Sequence, residues 1–154
     1  DISGLKNPGM AQVISDNDLP AVLMVCSRIP GDCLNFSDTT AALETIVRRT
    51  EEGGINEYIL DPGIGRWIPE RTPDTDFELC RRFGELLSFD RPLLAAVSRK
   101  SFIGSATGRK PEDRLAGTLG LTTHLIQSGA SMIRCHDVVA TRDLIKVIAA
   151  LRGG

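Results

Sequence analysis

Three short stretches of the sequence carry ionisable side chains directly after apolar runs. In chain order these side chains are Asp61, Lys100, Arg134 and His136. A carboxylate and an ammonium suit the polar edge of a ring, and a guanidinium beside an imidazole suits an anion. Proteins built from parallel strands and helices place such groups at the carboxyl ends of the strands. The three stretches therefore predict one polar binding site.

The acidic motif reads Asp61-Pro62-Gly63-Ile64-Gly65. Two glycines after a carboxylate at a strand end allow another group to approach the backbone closely. A carboxylate can accept two N–H bonds at once, so Asp61 suits a ligand with an amino-pyrimidine edge. The alternative is a tight turn in which Asp61 accepts a backbone hydrogen bond. The motif alone leaves both interpretations open.

The basic motif, Ser98-Arg99-Lys100-Ser101, combines two cations with two hydroxyls. A lysine at a strand end carries a point charge on a flexible stem and can reach carbonyl or ring-nitrogen acceptors. Because side chains alternate in direction along a strand, we expect only one cation to enter the site. We interpret Lys100 as that cation and Arg99 as the partner of a structural carboxylate. A solvated turn after a core strand is the alternative.

The third motif is Arg134-Cys135-His136-Asp137. Alternation places Arg134 and His136 on one side, where a guanidinium and an imidazole together form an anion site. The helix predicted after the motif adds backbone N–H groups at its start. A structural histidine is the alternative for His136. The other histidine, His124, falls inside a predicted helix, and we interpret it as structural.

The elements that position these motifs alternate along the chain after a first short helix. Apolar runs predict four strands, at residues 21–25, 57–60, 93–97 and 131–133. A helix follows each strand, and we expect Ser37 or Asp38 to cap the first and Asp74 or Thr75 to cap the second. Strict alternation with short connections predicts an α/β fold of parallel strand–helix units.

Composition limits the classes of function. The chain has 154 residues, is 42% hydrophobic and 25% charged, and carries a net charge of -2. These values are ordinary for one globular domain and give no general footprint for nucleic acid or a membrane. No apolar run approaches the roughly 20 residues that cross a bilayer. The four cysteines match no metal or redox spacing, so we expect reduced thiols and a cytoplasmic protein.

At the three motifs, the chain resembles the dihydropteroate synthase family of pterin-binding enzymes. The segments Asp-Pro-Gly-Ile-Gly, Ser-Arg-Lys-Ser-Phe-Ile-Gly and Arg-x-His-Asp-Val match that family in order and spacing. Asp1-Ile2-Ser3-Gly4 resembles the end of its Asn-Asp-x-Ser-Gly motif. The resemblance implies a TIM (β/α)8 barrel. Residues 1–154 would form a partial barrel of about four parallel strands, from the exit of strand 4 to helix 8, and we expect the amino-terminal part of the larger domain to be missing.

The resemblance also implies a role for each site residue. Asp61 would hold the amino-pyrimidine edge of a pterin, Lys100 would contact the pterin ring, and Ser101 would contact the p-aminobenzoate side. Arg134 and His136 would bind the diphosphate of the pterin substrate. The catalytic residues would be Lys100, Arg134 and His136.

The reaction implied by the resemblance joins p-aminobenzoate, or a related arylamine, to hydroxymethyl-dihydropterin diphosphate and releases pyrophosphate. It serves the biosynthesis of folate or a related pterin cofactor. The resemblance implies Mg²⁺ as well, with ligands that are not in this chain. It further implies a homodimer, or the missing half-barrel, as the partner.

Three departures from the family pattern indicate a divergent branch. The family's histidine after its fifth strand is absent, because the run here is Met24-Val25-Cys26-Ser27. Arg66-Trp67-Ile68 stands where Phe-Gly-Lys is usual, and counting back from the next helix makes Arg71 the expected substrate-binding cation. The strand ends that carry an asparagine and an acid in the family's first half lie outside this sequence. These departures leave open that the arylamine substrate or the pterin product differs from that of the family.

Other interpretations stay open beside the synthase. A non-catalytic pterin- or folate-binding module would need Asp61 and Lys100. An enzyme that transfers a methyl group from a methylated pterin would leave Arg134 and His136 without a diphosphate to bind. A four-stranded doubly wound domain would make the charges at the strand ends incidental. For the synthase, we expect this chain to be inactive alone, because four strands cannot close a barrel and their edges stay open.

Overall fold

The computed structural model describes residues 1–153. Its helices are α1 (Pro8–Asp16), α2 (Phe36–Glu52), α3 (Pro73–Arg81), α4 (Ser101–Thr107), α5 (Leu115–Gln127) and α6 (Val138–Leu151). Its strands are β1 (Ala21–Met24), β2 (Tyr58–Asp61), β3 (Leu94–Ala95) and β4 (Met132–Ile133). Short 3-10 helices cover Phe83–Phe89 and Pro111–Asp113.

The strands lie side by side in chain order and run in parallel. β1 pairs with β2, so that Met24 lies opposite Asp61, and β3 pairs with β4. A parallel bridge between Leu60 and Leu93 joins the two pairs. This succession of parallel strands with intervening helices is that of a TIM barrel. The prediction of a partial α/β barrel is therefore confirmed.

The first residues of the chain extend the sheet beyond β1. The backbone carbonyl of Asp1 accepts a hydrogen bond from the Met24 N–H at 2.9 Å, and the amino terminus donates to the Val22 carbonyl at 2.6 Å. The Asp1 carboxylate accepts the Leu5 N–H at 2.8 Å and so closes a turn before α1. The opening residues thus lie alongside β1, and their assignment to the exit of a strand stays a prediction.

The core lies between the sheet and the helices. Leucines on three neighbouring strand segments, Leu23, Leu60 and Leu93, have no exposed surface. They pack in one cluster with apolar side chains of the helices. Phe77 of α3 and Phe102 of α4 meet edge to face, with ring centroids 5.0 Å apart. Burial on this scale stabilises the fold by about 25 cal/mol per Å² of apolar surface.

The opposite face of the sheet would line the interior of a closed barrel. Val22 and Met132 project there and are 36% and 43% exposed. A cavity of about 510 Å³ opens at the amino ends of the strands and includes Val22, Ile59 and Met132 in its wall. The sheet formed by residues 1–153 therefore leaves an apolar inner face uncovered.

Two helices begin earlier than the sequence predicts. The cap of α2 is Asn35, whose side chain accepts the Asp38 N–H at 2.8 Å, rather than Ser37 or Asp38. The cap of α3 is Thr72, which places Pro73 at the first helical position. Proline is favoured there because its missing N–H has no helical partner to lose. The acids predicted as caps lie inside the first turns, where they stabilise the positive end of the dipole.

The two carboxyl-terminal strands are shorter than predicted, because only Leu94–Ala95 and Met132–Ile133 form ladders. All four cysteines are free; three are buried and Cys135 is half-buried. No helix among residues 1–153 has both the length and the apolarity to span a membrane.

Candidate functional site

Three of the predicted site residues meet around one cavity. It has a volume of about 270 Å³ and lies at the carboxyl ends of β3 and β4. Its lining residues are Ala96, Ser98, Lys100, Arg134, Cys135 and His136. Parallel strands bring these segments together because their carboxyl ends share one edge of the sheet. The structure thus unites two motifs that are 34 residues apart at Lys100 and Arg134.

Asp61 ends β2 and is 4% exposed. One of its carboxylate oxygens accepts the Gly63 N–H at 2.8 Å, and the other has no hydrogen bond within residues 1–153. Gly63 has a φ of +69°, and a Cβ there would lie 2.8 Å from a methyl group of Val25. The turn interpretation is therefore correct for one oxygen, and the second oxygen is left for a ligand.

The charge of Asp61 depends on its neighbours. Burial raises the pKa of Asp61, while the Gly63 N–H and the positive charges of Arg134 and Lys100 act in the opposite direction. The carboxyl group of Asp61 therefore interacts electrostatically with both cations, although it comes from a different strand.

Lys100 lies against the turn that follows Asp61. A Cβ on Gly65 would lie 2.8 Å from the Lys100 Nζ and 2.9 Å from its Cδ, so the lysine side chain packs directly against this glycine. The Nζ also lies 5.3 Å from the centre of the Trp67 ring. Burial and the positive charge of Arg134 lower the pKa of Lys100. The ammonium is thus held in a defined place between a backbone turn and an aromatic face.

Ser98 orients His136. The Ser98 hydroxyl oxygen accepts the His136 backbone N–H at 3.1 Å and lies 2.9 Å from the imidazole Nδ1. When the hydroxyl donates its proton to Nδ1, the proton of the neutral ring is on Nε2. Nε2 has no partner within residues 1–153 and is therefore free to donate to an anion.

Arg134 supplies the second group of the anion site. Its backbone N–H donates to the Ala95 carbonyl at 3.0 Å, which fixes its position beside β3. Its guanidinium is exposed and makes no hydrogen bond or ion pair with residues 1–153. Helix α6 begins four residues later, at Val138. An open guanidinium and an imidazole N–H beside one cavity suit a phosphate-like anion.

Arg99 turns away from the cavity, as predicted. It has a φ of 57° and donates from its Nε to a carboxylate oxygen of Asp137 at 3.0 Å. Its backbone N–H donates to the Thr118 hydroxyl at 3.0 Å. The left-handed backbone at Arg99 separates the directions of the two adjacent cations. The prediction that Arg99 pairs with a structural carboxylate is confirmed.

Arg71 corrects the sequence analysis. The sequence predicts an open cation at the substrate, but Arg71 is 1% exposed. Its Nε donates to Asp76 at 2.9 Å and one Nη donates to the Cys33 carbonyl at 2.6 Å. A buried guanidinium needs such partners because an unpaired charge in the interior is strongly unfavourable. Arg71 therefore serves the loop between β2 and α3.

The predictions for Ser101 and His124 have different outcomes. Ser101 is exposed at the first position of α4 and does not line the cavity, so its contact with an arylamine stays a prediction. The His124 Nε2 lies 3.0 Å from the Cys80 carbonyl, in keeping with a structural role.

The side chains around the cavity do not fit a Mg²⁺ ion. Its ionisable lining consists of Lys100, Arg134, Cys135 and His136, without a carboxylate, and magnesium binds through oxygen ligands. Residues 1–153 also hold no group of three or more His, Cys, Asp or Glu side chains placed for a metal ion.

The sequence analysis assigned no role to three residues that contact the site or the turn beside it, Ser98, Trp67 and Asp76. Ser98 had a usable signal, because it lies two residues before Lys100 and alternation puts both on one side. Trp67 and Asp76 had no such sequence signal, because their contacts with the site depend on the path of the loop after β2.

Comparisons with known proteins match most of this chain. A family model described as pterin binding enzyme matches residues 1–136. A bifunctional dihydropteroate synthase/dihydropteroate reductase of Helicobacter pylori is 33% identical over 158 residues, covering 98% of this chain and 41% of that protein.

Solved structures give the same result. A dihydropteroate synthase of Coxiella burnetii, in complex with pteroic acid, matches with a TM-score of 0.87 and 31% identity over 99% of this chain and 58% of that one. The Xanthomonas albilineans dihydropteroate synthase with 4-aminobenzoic acid matches with a TM-score of 0.88 and 30% identity, over 100% of this chain and 59% of that one. The chain thus spans about half the length of these relatives.

Proposed function

The chain belongs to the pterin binding enzyme family, and we propose that it forms the carboxyl-terminal part of a dihydropteroate synthase. The reaction would join p-aminobenzoate, or a related arylamine, to hydroxymethyl-dihydropterin diphosphate with release of pyrophosphate. The observation that carries the proposal is the convergence of Lys100, Arg134 and His136 on one cavity beside Asp61. The relatives in complex with pteroic acid and 4-aminobenzoic acid support the choice of substrates.

The ring of the pterin would bind between Asp61 and Lys100. The free carboxylate oxygen of Asp61 accepts N–H groups of the amino-pyrimidine edge, and the buried setting strengthens these bonds. Lys100, held over Gly65, donates to a carbonyl or nitrogen of the ring. The two groups orient a flat ligand, which places its reactive methylene carbon at a fixed point.

The diphosphate would bind to Arg134 and His136. In the reaction the arylamine nitrogen forms a bond to the methylene carbon, the carbon–oxygen bond to the diphosphate breaks, and the amine loses a proton to solvent. Negative charge accumulates on the leaving pyrophosphate. Arg134 and the Nε2–H of His136, which Ser98 orients, stabilise that charge as it develops.

Titration with hydroxymethyl-dihydropterin diphosphate tests the proposed function. We expect the chain to bind this compound and the double variant Arg134→Ala/His136→Ala to bind it at least tenfold more weakly, because two groups that contact the leaving group are lost. Calorimetry measures both affinities. If the double variant binds the compound as tightly as the unaltered chain does, the result would instead indicate a non-catalytic pterin-binding module.

The 154-residue chain alone is expected to form no pteroate. Its sheet has two open edges and an uncovered inner face, and the relatives are about twice as long. Part of the substrate enclosure is therefore absent from this chain. The measurement incubates the purified chain with both substrates and magnesium and detects pteroate by chromatography. Robust product formation would overturn the expectation.

The uncovered inner face of the sheet calls for a partner. The missing half of a barrel, or a second copy of the chain, would cover the inner face around Val22 and Met132. A partner that covers this face would also shield the cavity from water, which strengthens the charged contacts within it.

A further inference from the structure

The loop between β2 and α3 contains a buried ion pair that the proposed reaction does not use. The side chains of Arg71 and Asp76 are 0% and 1% exposed. Arg71 donates from Nε to one carboxylate oxygen of Asp76 at 2.9 Å, and from an Nη to the Cys33 carbonyl at 2.6 Å. The pair therefore ties α3 to the loop that follows β1.

The same oxygen of Asp76 also holds the turn after Asp61. It accepts the Gly65 N–H at 2.8 Å, so one carboxylate oxygen serves both a guanidinium and a backbone amide. The second oxygen of Asp76 is buried and has no hydrogen-bond partner within residues 1–153. A buried carboxylate that shares one oxygen in this way fixes the geometry of both donors.

The fixed Gly65 in turn supports Lys100. Gly65 has a φ of +121°, a backbone conformation that side chains rarely adopt. The Lys100 side chain fills the space in which a Cβ of Gly65 would lie, with its Nζ 2.8 Å from that point. The Trp67 ring covers the Nζ from another side, at 5.3 Å from the ring centre. A displaced Gly65 would therefore change the space that Lys100 occupies.

We propose that Asp76, held by Arg71, is a positioning residue that acts through the Gly65 amide to set the place of the Lys100 ammonium. Arg71 thus acts on the site from a buried position, three contacts away from Lys100 through Asp76 and Gly65, and not as a cation on the substrate. The proposal rests on the proposed function only where a ligand is used as a readout.

A purely structural ion pair would stabilise the fold without affecting Lys100. The two roles separate in a pair of double variants that share the loss of both charges, Arg71→Met/Asp76→Asn and Arg71→Met/Asp76→Leu. Asparagine keeps an oxygen acceptor for the Gly65 N–H, whereas leucine has a similarly branched side chain and no acceptor. Both variants avoid an uncompensated buried charge.

The first readout needs no ligand. Trp67 is the single tryptophan of the sequence, so its fluorescence reports on the charge above its ring. We expect a change in emission as Lys100 loses its proton, and the same titration of Lys100→Met identifies that change. The charged and titratable groups that act on the Lys100 ammonium are Asp61, Asp76, Arg71 and Arg134.

The proposal predicts different results for the two double variants. The asparagine variant is expected to keep the emission change of Trp67, and the leucine variant to lose at least half of its amplitude, because the contact between cation and ring weakens with distance. Pteroic acid is expected to bind the leucine variant about tenfold more weakly than the asparagine variant. Urea unfolding of both variants measures stability separately.

Equal emission changes and equal affinities in the two variants would overturn the proposal, whatever their stabilities. An amplitude difference without pteroic acid binding in either variant would support the positioning role and contradict the proposed function. If the variants do not fold, hydrogen exchange of the unaltered chain tests the positioning role of Asp76 instead. The Gly65 amide must then be protected like the amides of β2, and exchange as fast as in residues 66–70 would overturn the proposal.

Discussion

Replacement of Asp61 by asparagine is expected to weaken the binding of pteroic acid by about 100-fold. The free oxygen of the carboxylate is the proposed acceptor for the amino-pyrimidine edge. Hydrogen bonds to a charged group contribute about 1.5–3 kcal/mol each, and a 100-fold loss corresponds to about 2.7 kcal/mol. Asparagine also presents an NH₂ group, which would face a donor of the ligand. Calorimetric titration of both proteins measures the effect.

The same substitution separates binding from folding. Asparagine keeps an oxygen for the Gly63 N–H, so the turn after β2 is retained. Asp143→Asn, which alters an exposed carboxylate on α6, is the matched control. It should leave the affinity unchanged. An Asp61→Asn protein that binds pteroic acid like the unaltered chain would contradict the assignment of Asp61 to the ring.

The pH dependence of stability follows from the direction of the Asp61 shift. Burial raises the pKa of Asp61 in the folded chain above its unfolded value. Between those two values the folded state binds more protons, so this carboxyl favours folding at low pH and its contribution is lost as the pH rises through the window. Asp61→Asn removes this part of the dependence. Urea unfolding at several pH values, compared with Asp143→Asn, measures the difference.

Replacement of Arg134 by methionine is expected to lower the affinity for pyrophosphate by about 10- to 100-fold. The guanidinium is exposed, has no partner within residues 1–153, and offers two N–H groups to one phosphate. Loss of charge-assisted hydrogen bonds accounts for the size of the effect. Because the group is exposed, salt screens it, and the difference should shrink as ionic strength rises. Isothermal titration at two salt concentrations measures both quantities.

Arg142→Met is the matched control for this prediction. Arg142 is 60% exposed on α6 and forms a surface ion pair with Asp143. Its loss removes the same net charge a few residues from the cavity. Equal weakening in the two variants would show that pyrophosphate responds to general charge, and would contradict a specific anion site at Arg134.

The sequence predicts the positions of the main site groups because each follows a local change from an apolar run to polar residues. Asp61 and the Arg134–His136 pair have this signal, and alternation along a strand assigns the two members of the pair to one side. The helix predicted after the third motif is α6, which runs from Val138 to Leu151. The order of elements follows from the same local patterns.

The sequence does not predict contacts that depend on the path of a loop. The counting that placed Arg71 at the substrate could not show that the loop buries it against Asp76. The position of Trp67 over Lys100 depends equally on that loop. Arg99 illustrates a second limit of prediction from the sequence. Its positive φ is set by tertiary hydrogen bonds of its backbone to Thr118 and Arg114. No periodic pattern encodes these interactions.

In the proposed site, a ring site at Asp61 and Lys100 adjoins an anion site at Arg134 and His136. Competition between ligands measures this arrangement most directly. Hydroxymethyl-dihydropterin diphosphate, titrated into the chain with pteroic acid or pyrophosphate already bound, is predicted to displace either ligand at one-to-one stoichiometry. It should also bind more tightly than both, because it occupies both subsites. Simultaneous binding of the diphosphate substrate and either ligand would contradict this arrangement.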